Sequence, residues 1–377
     1  MRVCMITPHL PPEQAANALL PIVLGDELKQ HGVSVRYVSH PFSRDDVRAT
    51  DRRVDYVPRR GRDAWSRSTA GSLYSVARMA TGMASAVYCS DIVHLHGNGL
   101  IVEVGQLLAR LFRKPYVVTL YGTDVWDFDA RRHARFARVV RDAAVRVFYS
   151  RGLLEFARPL GLAPDPSTVV YAPVTPVFRP MTTDQRRVVR DGLDVGDGPL
   201  IVTVKRLHPV AGYETLLQAI PQILSDYPDA TFALIGEGEL RSRLEAHARD
   251  AGLSARVKFL GRIDHQSISQ YYAAADVFVL PSNVESWGTV MLEALASGTP
   301  VVATDTPGGV EVREHFGDDV TIVEKRDSAA LAAAVRAVLR SRRGTSEATA
   351  ERLRTEFTVA RCAARYLDVY RRAVGER

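Results

Sequence analysis

The chain has 377 residues, of which 46% are hydrophobic and 24% charged, a composition typical of a folded protein long enough for two domains. Its net charge of +6 comes without a basic stripe carrying interleaved aromatic residues, which excludes a nucleic-acid-binding module. Three distant cysteines exclude a disulfide framework and indicate a cytoplasmic protein, and no apolar run approaches the roughly 20 residues that cross a bilayer.

Strand-like apolar runs alternate with helical patterns along the whole chain, which predicts parallel βαβ units. In the first half the predicted strands read VCMIT, VSVRYVS, DIVHLH, YVVTLY, VRVFYS and TVVYA, with helices over 17–31, 70–88, 99–113 and 129–142. In the second half they read PLIVTV, TFALIG, RVKFLG, DVFVLP, PVVAT and VTIVE, with helices near 213–226, 239–251, 267–274, 288–297 and 328–341. We therefore expect an α/β protein with two doubly wound Rossmann-like domains that face a central cleft and bind ligands at the carboxyl ends of their strands.

Two glutamates, Glu285 and Glu293, stand eight positions apart where a strand passes through a loop into a helix. A helix N-terminus leaves backbone N–H groups free to hold an anion. Two carboxylates beside it suit a ligand with phosphates at one end and hydroxyls at the other, such as a nucleotide sugar. Alone, the pair would be interpreted as a loop cap and a solvated helix residue. The following Gly-Thr-Pro turn and strand favour the ligand.

This segment resembles the donor-binding signature of the retaining GT-B glycosyltransferases of group 1 (family 4), and the resemblance covers nearly the whole chain. It implies a hexosyltransferase that moves a sugar with retention from a UDP- or GDP-sugar to a hydroxyl of a small-molecule or glycan acceptor. It implies no cofactor and no metal ion. It also implies that the last helix crosses back, so that 1–178 with 359–377 forms the acceptor domain and 179–358 the donor domain.

The resemblance also suggests roles for residues of the donor domain. Arg206 would stabilise the leaving diphosphate, Glu285 would face the hydroxyls of the transferred sugar, and Glu293 would accept from the ribose hydroxyls. The other donor-binding candidates are Lys205, Gly236, the backbones of Arg262 and Ile263 at the base, and the backbone N–H groups of Ser286, Trp287, Gly288, Thr289 and Val290.

Ala211 departs from the family pattern, which usually has a second phosphate-directed cation, a lysine, at this position. Lys205 is a possible replacement. However, adjacent residues of a strand point to opposite faces, so Lys205 and Arg206 are not expected to point the same way. A lysine that is solvated or paired within the core is an equally good interpretation of Lys205.

The acceptor domain offers one candidate catalytic residue, His96, at the end of a strand, where a histidine is as often structural. The acceptor-binding candidates are Asn17, Tyr121 and Asp124. Asp124 either binds acceptor hydroxyls or caps the next turn. Family members usually have Gly-Gly where this chain reads Ala-Ala-Asn up to Asn17, and many have a histidine at the position of Tyr121.

Several patterns leave alternatives open. Asp127 and Asp129 spell the D-x-D metal motif, but a predicted helix follows at once, so we interpret them as N-terminal acids that cap this helix. Arg131, Arg135 and Arg138, and the basic stretch 59–67, leave open a peripheral contact with the anionic inner face of a membrane, although a solvated face is the ordinary reading.

Two other functions remain open beside the transferase. The departure at Ala211 and the missing Gly-Gly are compatible with a catalytically impaired homologue that acts as a scaffold or partner subunit. A GT-B sugar-nucleotide epimerase is also possible. A dinucleotide-binding oxidoreductase based on GEGELR is disfavoured, because Glu239 and Glu245 come too early to bind the ribose.

Overall fold

The computed structural model describes residues 1–11, 16–40, 54–57, 69–193, 195 and 197–375, with the backbone alone at 16–17, 69–73 and 75. The chain divides into two compact units. The first contains Met1–Ala172 and Val359–Arg377, and the second contains Pro173–Thr358.

The units divide after residue 172, whereas the sequence placed the boundary at 178. Two contacts explain the difference. The backbone N–H of Val174 donates to the carbonyl oxygen of Phe357 (2.8 Å), and the ring of Phe178 packs edge-on against Tyr272, with 5.7 Å between centroids. This short segment therefore belongs to the second unit.

The first unit is built on seven parallel strands in the order β3-β2-β1-β4-β5-β6-β7. They are β1 (Arg2–Ile6), β2 (Ser34–Ser39), β3 (Val54–Tyr56), β4 (Ile92–His96), β5 (Tyr116–Leu120), β6 (Val145–Phe148) and β7 (Ser167–Val169). The central strands are apolar almost throughout because helices cover both faces of a parallel sheet. These helices include α1 (Ala16–Gln30), α2 (Thr69–Tyr88), α3 (Leu100–Leu111), α4 (Thr123–Trp126), α5 (Ala134–Arg141) and α6 (Arg151–Ala157).

The second unit has a six-stranded parallel sheet in the order β10-β9-β8-β11-β12-β13. Its strands are β8 (Leu200–Val204), β9 (Thr231–Ile235), β10 (Val257–Gly261), β11 (Val277–Leu280), β12 (Val301–Thr304) and β13 (Val320–Val323). Its helices are α7 (Thr183–Gly192), α8 (Tyr213–Asp226), α9 (Arg241–Asp250), α10 (Ile268–Ala274), α11 (Thr289–Ala296), α12 (Pro307–Phe316), α13 (Ser328–Ser341) and α14 (Glu347–Glu356). Because β8 has β9 on one side and β11 on the other, the strand order reverses between β8 and β11, and ligands of doubly wound folds bind at such a point.

The last helix, α15 (Val359–Val374), completes the first unit, which confirms the predicted return of the chain. Leu95 lies against α3, since a Cβ on Gly105 would come within 3.1 Å of it, whereas the neighbouring His94 bonds Tyr370 of α15. Neighbouring residues of a strand face opposite sides. Helices α3 and α15 therefore cover opposite faces of the first sheet.

Helix α15 is attached through buried hydrogen bonds rather than apolar contact alone. His94 pairs through Nδ1 with the hydroxyl of Tyr370 (2.7 Å) and through Nε2 with Oγ1 of Thr119 (2.8 Å). The same Thr119 oxygen lies 3.1 Å from the hydroxyl of Tyr366. All four side chains are fully buried, so every one of these bonds satisfies a group that water cannot reach.

All the strands that the sequence predicts are present. The sequence patterns do not predict β3, α4, α6, α7, α12 or α14, which have 10 residues or fewer and offer little periodicity.

The single helix predicted over 129–142 is wrong. After α4 the chain makes a turn in which the Asp129 carboxylate accepts from the backbone N–H groups of Arg131 (2.9 Å) and Arg132 (2.8 Å), and α5 begins only afterwards. Asp129 therefore caps a turn, and Asp127 is the C-terminal cap of α4. The prediction that both are N-terminal acids of the following helix is wrong, because the first turn of α5 contains no acid.

We predict that Tyr370→Phe destabilises the first unit. The change removes the hydroxyl that bonds His94 and leaves a fully buried imidazole nitrogen without that partner, which costs about 1–3 kcal/mol. Urea unfolding followed by circular dichroism measures the loss. The matched control is Tyr88→Phe, where the side chain is 64% exposed and the change is expected to stay within about 0.5 kcal/mol. Equal effects of the two variants would contradict this account of α15.

Candidate functional site

Lys205 connects β8 to the loop after β11 at the reversal of the second sheet. Its Nζ donates to Glu285 Oε2 (2.6 Å) and to Ser282 Oγ (2.8 Å), and it lies 3.3 Å from the carbonyl oxygen of Val284. An ammonium group has three N–H donors, and all three are directed at this loop. Lys205 therefore holds the loop in place, in agreement with the pairing alternative of the sequence analysis and in place of a direct donor contact.

Arg206 follows Lys205 in the loop just after β8, which ends at Val204. Its side chain is exposed, and among the described residues no hydrogen bond or ion pair engages its guanidinium. It is thus a cation at the carboxyl end of β8 with its donors available for a ligand.

Glu285 combines a fixed carboxylate with an anchored backbone. Its side chain is 16% exposed; Oε2 receives the Lys205 ammonium and Oε1 receives the backbone N–H of Ser286 (3.1 Å). Its carbonyl oxygen accepts from the backbone N–H of Gly308 (3.0 Å). Each carboxylate oxygen therefore accepts a hydrogen bond from the protein, and these bonds fix the orientation of the carboxylate.

The N-terminus of α11 lies directly after this loop. Gly288 caps this helix in a left-handed conformation (φ 66°). The backbone N–H of Met291 donates to the carbonyl oxygen of Gly288 (2.8 Å). The N–H groups of Gly288, Thr289 and Val290 precede the helix's own hydrogen-bond ladder. Together with the helix dipole they form a place for an anion.

Trp287 contributes to this loop only through its backbone. Its side chain is fully buried, stacked on Phe357 at 5.9 Å and edge-on to His315 at 5.6 Å. The donor-binding role suggested for Trp287 therefore concerns its N–H group, and the indole fixes the loop to the core of the second unit.

The start of α12, which the sequence patterns do not predict, supports the loop from the side. A Cβ on Gly308 would lie 2.7 Å from the backbone of Ser286 and Trp287, so only glycine allows this close approach. Thr306 caps α12 by accepting from the Gly309 N–H (3.1 Å), and Pro307 follows it at the first helical position. Thr-Pro-Gly-Gly after the strand VVAT was the signal for this capped helix start.

Gly236, which the sequence predicts to contact the donor, is required to be glycine by its local structure. Its φ is 145°, and a Cβ there would lie 2.1 Å from the carbonyl oxygen of Lys205. The lack of a side chain is therefore required by the neighbouring strand end, whether or not a ligand approaches.

Ala211, the departure from the family pattern, is fully buried in the apolar core of the second unit. It supplies no charge to the strand ends. Lys205 and Arg206 are then the cations that β8 brings to this edge, the first paired with Glu285 and the second exposed.

Glu293 is buried rather than open to a ligand. Its side chain accepts a hydrogen bond from the hydroxyl of Tyr272 (2.9 Å), a residue that the sequence analysis did not single out. Burial raises the pKa of Glu293 to about 7, and the Tyr272 hydrogen bond opposes this only in part. Near neutral pH the group is divided between its protonated and ionised forms.

The remaining donor candidates lie at the end of β10. Arg262 is exposed and Ile263 is half-buried, in an extended stretch before α10. His265, three positions after Arg262, packs edge-on against Phe178 (5.0 Å), and burial lowers its pKa. The contact of Arg262 and Ile263 with the base stays a prediction.

In the first unit, His96 and Tyr121 form a buried pair, with Nδ1 of His96 at 2.7 Å from the Tyr121 hydroxyl. Burial lowers the pKa of His96 to about 3, so the imidazole is neutral. Its Nε2 is buried without a hydrogen-bond partner in the described part of the chain. A neutral imidazole with one unengaged nitrogen can either donate or accept one further hydrogen bond.

Asp124 has the capping role that the sequence analysis left open. Its carboxylate accepts from the backbone N–H groups of Gly122 (2.7 Å) and Tyr121 (3.1 Å), and it is 4% exposed. Burial raises its pKa to about 6 against these hydrogen bonds. Asn17 is the second residue of α1, but its side chain lies outside the described residues, as does the basic stretch 59–67.

Two family profiles match this chain. The profile described as Glycosyl transferases group 1 matches residues 185–356, and the profile described as Glycosyltransferase Family 4 matches residues 22–177. The chain belongs to the group 1 glycosyltransferases. The first match contains Lys205, Arg206 and the Glu285–Glu293 segment, and the second contains His96 and Tyr121.

Curated relatives of this glycosyltransferase differ in the substrates that their names give. A GDP-mannose-dependent alpha-(1-6)-phosphatidylinositol monomannoside mannosyltransferase of Mycolicibacterium smegmatis is 31% identical over 62% of the chain and 63% of the relative. A D-inositol 3-phosphate glycosyltransferase of Geodermatophilus obscurus is 34% identical over 56% and 49%. A 2-deoxystreptamine glucosyltransferase of Streptomyces kanamyceticus is 30% identical over 57% and 59%. The chain thus spans about half to two thirds of the length of these relatives.

Solved structures resemble this glycosyltransferase over its full length. Sucrose-phosphate synthase of Thermosynechococcus elongatus has a TM-score of 0.79 at 20% identity, covering 100% of the chain and 99% of that structure. HepE of Anabaena, solved with UDP-glucose, has a TM-score of 0.81 at 18% identity, covering 98% and 99%. These likenesses confirm the predicted GT-B fold.

We predict that the Lys205–Glu285 pair is strongly coupled. Lys205→Met leaves a carboxylate unpaired at a site where both side chains are only 17% and 16% exposed, which costs about 2–4 kcal/mol. Adding Glu285→Gln removes the unpaired charge and restores most of the loss. Thermal unfolding of the parent, both single variants and the double variant gives the coupling energy. Additive effects would show that the pair does not hold the loop.

We also predict a pH-dependent effect of Glu293→Gln. The folded state holds the proton of Glu293 more tightly than the unfolded state, so this group reduces stability as pH rises from about 4.5 to about 7. The glutamine variant lacks this loss and keeps an acceptor for Tyr272. Its stability relative to the parent should rise by on the order of 3 kcal/mol between about pH 4 and pH 8. Thermal unfolding across this range measures it, with the 61% exposed Glu351→Gln as the surface control. A pH-independent difference would show that Glu293 titrates normally.

Proposed function

We propose that this protein transfers a sugar from a nucleoside diphosphate sugar to a hydroxyl group, with retention at the anomeric carbon and without a metal ion. The observation that carries the proposal is the carboxylate of Glu285, fixed by Lys205 at the reversal of the second sheet and followed by the N-terminus of α11. A fixed carboxylate suits sugar hydroxyls, and a helix N-terminus suits a diphosphate.

Arg206 supports the same assignment. It is an exposed cation at the end of β8, beside the strand that ends at the Glu285 loop. In the proposed reaction the bond between the anomeric carbon and the diphosphate oxygen breaks, and the leaving diphosphate gains negative charge. Arg206 and the N–H groups at the start of α11 stabilise that charge.

The acceptor oxygen then bonds to the anomeric carbon on the face that the diphosphate leaves, and its proton passes to the departing phosphate oxygen. No protein nucleophile is assigned to this step.

Retention rests on the family resemblance and on this arrangement of donors around the leaving group. Independence of a metal rests on Arg206 and the helix N-terminus as the positive groups, and activity in the presence of a chelator tests it. The described residues contain no group of three or more His, Cys, Asp or Glu side chains placed to hold a metal ion.

His96 and Tyr121 are the proposed acceptor-side residues. The neutral His96 has one nitrogen bonded to Tyr121 and the other buried and unengaged, so it can hydrogen-bond a substrate hydroxyl. Asp124 is better suited to positioning this segment, because it is only 4% exposed and both of its oxygens accept from the backbone. Asn17 remains an acceptor-binding proposal based on the family resemblance.

UDP- and GDP-sugars are the proposed donors. The name of the Mycolicibacterium relative gives GDP-mannose, and the HepE structure was solved with UDP-glucose. The exposed Arg262 and the half-buried Ile263 would meet the base through their backbones.

A non-catalytic scaffold is the second candidate, and Ala211 favours it. This position supplies no cation because Ala211 is fully buried in the apolar core. A scaffold would bind the nucleotide without turning it over, and an epimerase would convert the donor with no acceptor present.

We predict turnover of at least one UDP-, GDP- or dTDP-sugar, identified by thermal shift and followed by release of the nucleoside diphosphate. A donor present at 100 times its Kd should stabilise the protein by about 2.7 kcal/mol. Arg206→Ala should then lower turnover by roughly a hundredfold or more while the fold is retained.

The control for Arg206→Ala is Arg243→Ala on α9, a 73% exposed arginine whose loss should leave turnover unchanged within a few-fold. Donor binding without release would support the scaffold instead. Release that does not depend on Arg206 would remove this residue from the mechanism.

A further inference from the structure

Helices α2, α3 and α5 form one continuous layer of the first unit, in which α2 packs on α3 and α3 on α5. The outer side of α2 and α3 is unusual for a solvated surface. Among the described residues, eight large hydrophobic side chains are exposed, and four of them lie on these two helices: Tyr74, Tyr88, Leu107 and Leu111.

The exposed apolar side chains come with cations. Arg78 lies over the ring of Tyr74 and Lys114 over the ring of Tyr88, each at 5.8 Å from the centroid. Two further arginines stand next to Leu111 in the sequence, Arg110 and Arg113, and both are exposed. We call these eight residues the α2–α3 face: Tyr74, Arg78, Tyr88, Leu107, Arg110, Leu111, Arg113 and Lys114.

Acidic residues are scarce in this layer. Helix α2 contains one charged residue, Arg78; α3 contains Arg110 and Glu103; and α5 contains three arginines and no acid. The three helices thus carry five arginines against one carboxylate. Asp142, which follows α5, pairs with Arg110 at 3.3 Å and neutralises it in part. The charge of the layer is clearly positive.

A second feature extends this charge beyond α3. An open groove of about 1100 Å³ lies at the amino ends of β1, β4 and β5, and Arg113 and Lys114 line it together with Arg371 of α15. Asp91 also lines the groove, but it is bonded to Arg2 through both carboxylate oxygens (2.6 and 2.7 Å). The groove therefore offers cations to an anionic headgroup next to Tyr88 and Leu111.

We propose that the α2–α3 face docks on an anionic lipid bilayer. Leucines next to cations, with tyrosines whose rings carry a polar end, match the boundary between acyl chains and negative headgroups. A neutral partner would not need the excess of arginine, and a purely solvated face would not need four exposed large hydrophobic residues. Within the described ranges, no helix combines the length and apolarity needed to cross a bilayer. The proposed docking is independent of the proposed transferase function.

The test is co-sedimentation of the full-length protein with vesicles of phosphatidylcholine, with and without phosphatidylglycerol. We expect binding only to the anionic vesicles, weakening as salt is raised. Arg113→Gln with Lys114→Gln should reduce partitioning about twenty-five-fold, because each cation near an anionic surface contributes about fivefold. Leu107→Ser with Leu111→Ser should reduce it by about tenfold or more.

Matched control variants lie on the second unit. Val188→Ser removes an apolar side chain that is 69% exposed, comparable with Leu111 at 71%, and Arg243→Gln removes an exposed cation. Both should leave partitioning unchanged. Equal losses in the controls, or no binding to anionic vesicles, would overturn the proposal.

Cys89 gives a second measurement that locates the contact. It is exposed and adjacent to Tyr88, whereas Cys4 and Cys362 are buried, so a polarity-sensitive fluorophore can be attached at Cys89 alone. Its emission should shift to the blue with anionic vesicles, while a label at Val188→Cys in a Cys89→Ser background should not respond. If light scattering instead shows a dimer that the leucine variants dissociate, and vesicles do not bind, the face is an interface between two copies and the proposal is wrong.

Discussion

Lys205 and Glu285 form the ion pair on which the geometry of the second unit's strand ends depends. The pair joins β8 to the loop after β11 at the reversal of strand order, and the ammonium also bonds Ser282. Because both charges are largely removed from water, the pair is useful only with its hydrogen bonds satisfied, and the structure satisfies them. The adjacent Arg206 is then left to face outward. Lys205 thus organises the loop, and Arg206 carries the charge that is available to a ligand.

In the same region, glycines allow backbone segments to come close together where a side chain would not fit. Gly236 meets the carbonyl of Lys205, and Gly308 meets the loop beside Trp287. These contacts bring three strand ends and two helix starts together without intervening bulk. Trp287 then ties the loop to an aromatic cluster with His315 and Phe357. The rigidity expected of a binding loop comes here from the core beneath it, which is what holds the N–H groups of α11 in a fixed direction.

Most of the architecture could be predicted from the sequence because parallel strands covered on both faces have long apolar runs, and the Glu285–Glu293 spacing marked the site. The hydrogen-bond and ion-pair partners of individual side chains could not be predicted. Alternation indicates that Lys205 and Arg206 differ in direction, but the acceptors of Lys205 lie about 80 residues away in the chain. The burial of Glu293 against Tyr272 is likewise a long-range contact. The helix predicted over 129–142 failed for a local reason, since the Asp129 carboxylate stabilises a competing turn.

The return of α15 to the first sheet has a consequence for synthesis. A ribosome releases residues 173–358, the whole of the second unit, before α15 appears. The second unit can fold from an uninterrupted stretch, whereas the first must wait with His94 and Thr119 lacking their tyrosine partners. The first unit, which begins to be synthesised first, is thus completed last. Until α15 has been made, the face of the first sheet that α15 covers stays open to a chaperone.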